Sequence, residues 1–248
     1  MLSNHPSLKI TERPSPNHSE RKAVNGSTDV KLVILHYTGM PGVEQAVARL
    51  SDPSAEVSAH YVVSDNGNIF QLVAEDRRAW HAGKSYWQGA RDINSISIGI
   101  EITNPGHEFG YRAFPHLQIE AVQDLVRGVM ARHALNAADV IGHSDIAPGR
   151  KIDPGELFPW EQLARAGIGR WPKLSGTKHL LSTDQAMRLL SQIGYATPLS
   201  TELGADLLGK TTDVIEAFQR HYRPRKIDGH LDGETLALIQ TLAAPNLA

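Results

Sequence analysis

Short runs of β-branched and apolar residues in the first third of the chain predict strands. The run at 30–36 is largely apolar up to its last residue, His36, so it predicts a strand that carries this histidine at its C-terminal end. Two further β-prone runs, at 58–64 and 68–73, are separated by an Asn-Gly pair. Because Asn-Gly favours the tight turn between antiparallel strands, these two runs predict a hairpin.

The clearest alternation predicts a strand at 95–102, where isoleucine occupies every second position from 96 to 102. Serine, glycine and Glu101 fill the positions between, so this strand is predicted to have one apolar face and one small face with a carboxylate near its end. A helical period follows at 116–133 and predicts a helix that packs on the sheet. A shorter amphipathic helix is predicted at 42–50.

The last third of the chain has a different pattern. Helical periods at 182–193, 212–222 and 233–242 are separated by turns, and no strand-like run lies among them. These periods predict a small three-helix domain at 180–248, joined to the rest by a linker at 173–179.

Proline and glycine mark the other boundary. Residues 1–28 contain no regular apolar period and are interrupted by Pro14, Pro16 and an Asn-Gly pair, so they predict an irregular N-terminal arm. The strands and helices of residues 29–172 then form the larger domain.

The composition is ordinary for a globular protein and excludes several classes of function. Of 248 residues, 41% are hydrophobic and 21% are charged, and 25 basic against 27 acidic side chains leave a net charge of -2. Without a basic excess, nothing favours nucleic acid as a partner. No run approaches the roughly 20 apolar residues of a membrane span, and no signal-peptide core is found near the start. The missing signal favours the cytoplasm, and no pattern indicates an oligomeric state.

Cysteine is absent, so any metal site must use histidine and carboxylate ligands. The candidate segment is the loop at 142–155, where prolines and glycines exclude regular structure around His143, Lys151 and Asp153. An imidazole with a carboxylate suits zinc. Asp145 is expected to shape the loop through backbone hydrogen bonds. The alternative for the whole segment is a solvated loop without a ligand.

His36 supplies a third ligand if the fold brings it to this loop. Two histidines and a carboxylate leave a position on zinc for water, as hydrolysis requires. Hydrolysis of an amide also requires a group that accepts a proton and a group that stabilises the oxyanion. Glu101 is the candidate for the first role and Lys151 for the second, with a purely structural carboxylate as the alternative for Glu101.

Five segments, in this order along residues 30–172, resemble the zinc N-acetylmuramoyl-L-alanine amidases that cleave anhydromuropeptides. They are VILHYT at 33–38, SAHY at 58–61, RAWHAG at 78–83, SIGIE at 97–101 and GHSDIAPGRKIDPG at 142–155.

The resemblance implies an α/β fold with a mixed central β-sheet flanked by helices. It implies hydrolysis of the amide between N-acetylmuramic acid, or its anhydro form, and L-alanine of the peptidoglycan stem peptide. It further implies one zinc ion and a catalytic pair, with the ion held by His36, His143 and Asp153 and the pair formed by Glu101 and Lys151.

The chain differs from the related phage amidases at two positions. Those enzymes have a catalytic tyrosine where this chain has Ala59, and a cysteine as the third ligand where it has Asp153. Proton transfer is therefore expected to rest on Glu101.

The tail has a resemblance of its own. VIEAFQRHY at 214–222 and IDGHLDGET at 227–235 are similar to the three-helix peptidoglycan-binding domain that is often appended to such enzymes. This implies peptidoglycan or muropeptide as partner and, against the missing signal, a periplasmic or outer-membrane-associated location. A tail that binds another protein is the alternative.

Six residues in or near these motifs are candidates for substrate contact: His60, Tyr61, Trp80, His81, Asn104 and Arg150. Each of the two histidines has an equal alternative as a buried, hydrogen-bonded support for the metal loop. Trp80 has an alternative in the core, and Arg150 has one in a surface salt bridge.

A second class of function fits much of the same sequence. A peptidoglycan-recognition protein keeps this fold and binds muropeptide without cleaving it. Such proteins lack a zinc ligand, whereas His36, His143 and Asp153 are all present here. The sequence therefore favours an enzyme, and leaves both intact cell wall and anhydro-sugar fragments as substrates.

Overall fold

The structure, a computed structural model, describes residues 9–174, 181–200, 203, 207 and 210–244. Within these ranges, no helix is both long enough and apolar enough to cross a membrane.

Six strands form one mixed sheet in the order β1-β5-β4-β7-β3-β8. In it β4, β7, β3 and β8 are parallel neighbours, whereas β5 pairs with β4 in the antiparallel sense. β2 and β6 form a separate antiparallel pair. The strands are β1 Ile10–Glu12, β2 His18–Glu20, β3 Leu32–Tyr37, β4 Tyr61–Val63, β5 Ile69–Gln71, β6 Arg77–Ala79, β7 Ser97–Ile102 and β8 Val140–Gly142.

Helices lie around this sheet and in the C-terminal third, so the α/β fold with a mixed central sheet is confirmed. They are α1 Val43–Ser51, α2 Ile93–Ile96, α3 His116–His133, α4 His143–Ile146, α5 Trp160–Arg165, α6 Thr183–Ile193, α7 Thr211–Tyr222 and α8 Gly233–Ala243. Two single 3-10 turns, Pro53–Ala55 and Ala137–Asp139, complete the regular structure of the described ranges.

The alternating isoleucines of β7 and the helical period of α3 correctly predict that this helix packs on one face of the sheet. The isoleucines of β7 turn to one side of the sheet and meet the apolar stripe of α3, which includes Val122, Leu125 and Val129. The opposite side of β7 carries Ser97, Gly99 and Glu101, as the alternation predicts. The hairpin at the Asn-Gly pair is also confirmed, because β4 and β5 pair in the antiparallel sense.

The prediction of an irregular arm at 1–28 is wrong for its described part. β1 adds a parallel edge strand to the main sheet beside β5, and β2 pairs with β6. The buried side chains of Ser15 and Asn17 also bond to backbone carbonyls at the end of α1. Each of these strands has only three residues, so the sequence contains no alternation long enough to predict it.

The three predicted C-terminal helices are present as α6, α7 and α8, while most of the predicted linker at 173–179 lies outside the described residues. They pack on the larger unit through a shared core. One buried cluster joins Ile34 of β3 and Ile146 of α4 to Met187, Leu190 and Phe218 of α6 and α7. Removing these apolar side chains from water stabilises the contact between the C-terminal helices and the larger unit.

Candidate active site

Three parallel strands bring three of the predicted site residues to one edge of the sheet. His36 near the end of β3 is the register partner of Glu101 on β7, so the two side chains lie next to each other on the same face. β8 pairs with the other side of β3 and ends at Gly142, directly before His143. The carboxyl ends of parallel strands are where open sheets place their sites.

Asp153 reaches the same place through a turn in the loop. The backbone N–H groups of Arg150 and Lys151 both donate to the carbonyl of Ala147, which folds the chain back on itself. The N–H of Ser144 then donates to the carbonyl of Asp153 at 2.9 Å. This bond places the Asp153 carboxylate beside the imidazole of His143.

Three buried side-chain atoms form a nearly equilateral triangle at this point. The Nδ1 atoms of His36 and His143 lie 2.9 Å apart, and each lies 3.0 Å from Oδ2 of Asp153. Within the described residues, this is the one cluster with the arrangement that holds a metal ion. The structure thus brings together the three ligands that the sequence predicts.

The hydrogen bonds around His143 assign its tautomer. Its Nε2 faces the carbonyl oxygen of Ala82 at 3.1 Å, and a carbonyl can only accept. Nε2 therefore carries the proton, which leaves the lone pair of Nδ1 turned toward the centre of the triangle.

A chain of three bonds assigns the tautomer of His36. The hydroxyl of Ser97 donates to the carbonyl of Ile93 at 2.7 Å, so its oxygen accepts from Nε2 of His81 at 3.1 Å. His81 Nδ1 must then accept from Nε2 of His36, at 3.0 Å. The Nδ1 lone pair of His36 therefore also points to the centre, as a metal ligand requires.

The charges at the triangle agree with this assignment. Burial, followed by the neighbouring His143, lowers the pKa of His36 to about 4, so its ring is neutral near pH 7. Two neutral lone pairs and one anionic oxygen at about 3 Å repel one another and suit a cation between them.

Glu101 lies beside this triangle with an unused oxygen. Its Oε2 is buried and has no hydrogen-bond partner. Burial, and then the charge of Asp153, raises the pKa of Glu101 well above its usual value. A carboxylate in this state is a stronger base than one in water, which suits a group that takes a proton during a reaction.

A cavity of about 550 Å³ opens at the triangle. It is lined by all three triangle residues and by Glu101 and Lys151. Lys151 is exposed on the wall of the cavity, whereas Asp153, two positions later, is buried. The site thus combines a buried cation position, a base and a solvated cationic side chain around one space.

The sequence of this region matches a known protein family. The family model described as N-acetylmuramoyl-L-alanine amidase matches residues 26–156, just over half of the chain. The chain belongs to the N-acetylmuramoyl-L-alanine amidase family. All five residues of the site lie within the matched segment.

Individual relatives extend the match to the C-terminal part. The chain is 36% identical over 246 residues to the N-acetylmuramoyl-L-alanine amidase AmiD of Escherichia coli, which covers 90% of this chain and 86% of that protein. It is 34% identical over 152 residues to the 1,6-anhydro-N-acetylmuramyl-L-alanine amidase AmpD of Haemophilus influenzae, covering 54% and 80% of the two chains.

Solved structures share the whole fold. AmiD from E. coli, in complex with the substrate anhydro-N-acetylmuramic acid-L-Ala-D-gamma-Glu-L-Lys, superposes with a TM-score of 0.74 at 34% identity, over 91% of this chain and 96% of that one. AmpDh3 from Pseudomonas aeruginosa gives a TM-score of 0.75 at 31% identity, with 98% of both chains covered. AmiD and AmpD are named as amidases, which supports an enzyme over a recognition protein without catalysis.

Three of the six residues predicted to contact substrate line the cavity at the triangle. Trp80, His81 and Arg150 line it. His81 is committed to His36 and Ser97, so it takes the supporting role that the sequence left open. Arg150 donates from Nη2 to the carbonyls of Ala82 and Lys84. It therefore holds the 81–84 loop in place and, within the described residues, does not form the surface salt bridge that was the alternative.

The other three predicted contacts lie away from the amidase cavity. His60 is completely buried, accepts the N–H of Gly99 and faces Arg21 and the carbonyl of Arg77. Burial, and then Arg21, lowers the pKa of His60 to about 3. The prediction of substrate contact is therefore wrong for this residue, because no surface of its ring faces the cavity.

Tyr61 and Asn104 are also structural. The Tyr61 side chain lies in the core and its hydroxyl donates to Glu75 at 2.8 Å. Asn104 is fully buried; its amide donates to the carbonyl of Arg112, and its oxygen accepts the N–H of Gly106. The two Asn104 bonds shape the loop that follows β7, and neither Tyr61 nor Asn104 lines the cavity.

Sequence reasoning missed the roles of Ser97 and Gly99. A Cβ on Gly99 would lie 2.4 Å from Cγ of His81, so only glycine leaves room for this ring over β7. The available signal was the small face of the isoleucine strand. It predicts an opening, but it does not say that a histidine fills it.

Proposed function

We propose that His36, His143 and Asp153 hold one zinc ion, and that the chain hydrolyses the amide between N-acetylmuramic acid and L-alanine in fragments of peptidoglycan. The observation that carries this proposal is the triangle of converging lone pairs beside a carboxylate with an unused oxygen. A zinc ion in this position would supply Lewis acidity, which lowers the pKa of water and polarises a carbonyl.

Glu101 acts as the general base in this proposal. Its register position beside His36 places its carboxylate at the wall of the cavity next to the triangle. It accepts a proton from the attacking water and returns that proton to the leaving nitrogen of L-alanine. Its raised pKa lets it hold the proton between the two steps.

Lys151 stabilises negative charge that develops on the carbonyl oxygen. It is the cationic side chain nearest in sequence to Asp153 that lines the cavity and remains exposed. Arg150 is committed to two carbonyl oxygens and holds the opposite loop in place. A cation aimed at the oxyanion contributes chiefly in the transition state, so Lys151 should affect turnover more than binding.

The named ligands of the relatives support anhydro-sugar fragments as substrates. AmiD is solved with an anhydro-N-acetylmuramyl tripeptide and AmpDh3 with an anhydromuramic pentapeptide. A cavity of about 550 Å³ lies within the size range of sites for ligands of this class. We extend the same substrate class to this chain.

Mass spectrometry of the products tests the reaction. Purified anhydro-N-acetylmuramyl tripeptide should be converted to anhydro-N-acetylmuramic acid and free tripeptide, with one water added in total. Recovery of intact substrate under saturating zinc, or cleavage within the peptide, would contradict the proposal. Intact substrate that nevertheless binds would favour the recognition protein.

Digestion of intact sacculi in parallel addresses the tail and the location. Released stem peptides, together with retention of the chain on the insoluble wall, would support wall binding by the C-terminal helices and a periplasmic enzyme. Cleavage of soluble fragments alone would support recycling in the cytoplasm.

A further inference from the structure

Asp145 connects the metal loop to the C-terminal helices. Its carboxylate is 1% exposed and accepts three hydrogen bonds. The N–H of Gly142 donates to Oδ2 at 2.8 Å, Nδ1 of His221 on α7 donates to Oδ2 at 2.7 Å, and the hydroxyl of Tyr195 donates to Oδ1 at 2.5 Å. Two of the three donors thus come from the C-terminal part of the chain.

The same carboxylate fixes the turn that carries a metal ligand. Asp145 lies in α4, two residues after His143, and its bond to the Gly142 N–H closes the first turn of this helix. This single bond, from the N–H that precedes the helix to the carboxylate of its third residue, sets the backbone direction at the start of the turn. The position of the His143 ring therefore depends on how firmly Asp145 is held.

Helix α7 holds this position by more than one contact. The ring of His221 is stacked between Trp160 and Tyr222, with centroids 3.8 and 3.9 Å away. In the middle of the loop, a Cβ on Gly149 would lie 2.5 Å from Oδ2 of Asp213, so α7 also lies directly against the segment before Lys151. The helix therefore contacts the loop at two places, Asp145 and Gly149.

We infer that Tyr195 and His221 are positioning residues for the metal site, so that the C-terminal helices take part in zinc binding and not only in recognition of the wall. The inference rests on the proposed function, because it takes His143 as a zinc ligand. A buried carboxylate that loses one of its donors is no longer fully satisfied and relaxes toward other conformations. The turn at His143 then loses its fixed geometry.

The test is the zinc affinity of variants of the 248-residue chain, measured by competition with a chromogenic chelator. Tyr195→Phe removes one donor to Asp145, and Tyr222→Phe is the matched control, since it removes a hydroxyl from the same helical part that does not bond to Asp145. Supports of metal ligands typically contribute about 10–100-fold to affinity. We expect a loss in this range for Tyr195→Phe and no change for Tyr222→Phe.

A second pair of variants separates positioning from general destabilisation. His221→Ala should weaken zinc binding, while His221→Asn, whose amide can donate from about the place of Nδ1, should recover much of the affinity. The absorption spectrum of the cobalt-substituted protein should be altered in His221→Ala and restored in His221→Asn.

The outcomes distinguish the two claims. Zinc affinity and cobalt spectra that are unchanged in Tyr195→Phe and His221→Ala would overturn the inference, even if the parent chain is an active zinc amidase. A parent chain that binds no zinc would instead overturn the proposed function.

Discussion

Glu101 and His36 are neighbours in space because they occupy one register position on two parallel strands. The sequence indicates both residues, since each stands near the end of an apolar strand. It cannot give the pairing, because strand order is set by the packing of the whole sheet. His36 and His143, which are 107 positions apart in the chain, are brought together in the same way.

Replacement of Glu101 by glutamine tests the role of its carboxylate. Glutamine keeps the size of the side chain but cannot accept the proton, so kcat should fall by about 10²–10⁴-fold. The zinc content of the purified variant should stay at one ion per chain. A variant that loses zinc would identify Glu101 as a ligand, and a variant with unchanged kcat would remove it from the reaction.

At the scale of elements, the strands and helices with a clear period were predicted well. The bounds of α3 agree with the predicted 116–133. β7 covers the predicted strand from Ser97 to Ile102, whereas the first two predicted residues, Ser95 and Ile96, belong to α2. Contacts between elements were predicted poorly. His60 and Asn104 occur close to site motifs in the sequence, but their side chains point into the protein, because the position of a residue in a motif does not determine the direction of its side chain.

The packing of His81 on β7 predicts that a side chain at Gly99 weakens zinc binding. In Gly99→Ala the new Cβ would overlap the His81 ring, which is buried and has little room to move. His36 would lose the acceptor for its Nε2 proton, so zinc should bind about 10–100-fold more weakly. Chelator competition measures this, and Gly128→Ala on α3 is the control, because its Cβ meets only the flexible end of Arg132. Equal zinc affinity in both variants would show that His81 does not support His36.

Glu75, in the connection between β5 and β6, binds the end of α3 and is predicted to make the stability of the protein depend on pH. Burial opposes its ionisation, but hydrogen bonds from Arg132, Tyr61 and His133 outweigh this and lower the pKa of Glu75 to about 2. Because the folded-state pKa is depressed, the stabilisation is present above the unfolded value of 4.5 and is lost as the pH falls toward 2.

Allowing for solvent screening, Glu75 should add about 2 kcal/mol to the free energy of unfolding near neutral pH. Glu75→Gln should therefore lower the urea midpoint at pH 7, and its difference from the parent chain should shrink as the pH is lowered toward 3. Glu161→Gln, in an exposed pair with Arg165, serves as the control and should change little. A difference that does not depend on pH would show that the carboxylate charge is not the cause.

At the scale of the whole molecule, the C-terminal helices are more closely joined to the catalytic part than the sequence predicts. Helical periods and a polar connection predict a separate domain, and they give no sign of the buried Asp145 or of the core shared by Ile34 and Phe218. Those contacts involve residues far apart in the chain, and neither partner is unusual in its own segment. The strands of the N-terminal arm were missed for a related reason, since their partners lie elsewhere in the fold.

The most direct test of the zinc site is metal removal and replacement in the 248-residue chain. The rate of hydrolysis of anhydro-N-acetylmuramyl tripeptide would be measured before chelation, in metal-free protein, and after stepwise addition of zinc. We expect the rate to fall to below about a hundredth without metal and to return in full at one equivalent of zinc. A metal-free protein that keeps its full rate would contradict the zinc site at His36, His143 and Asp153.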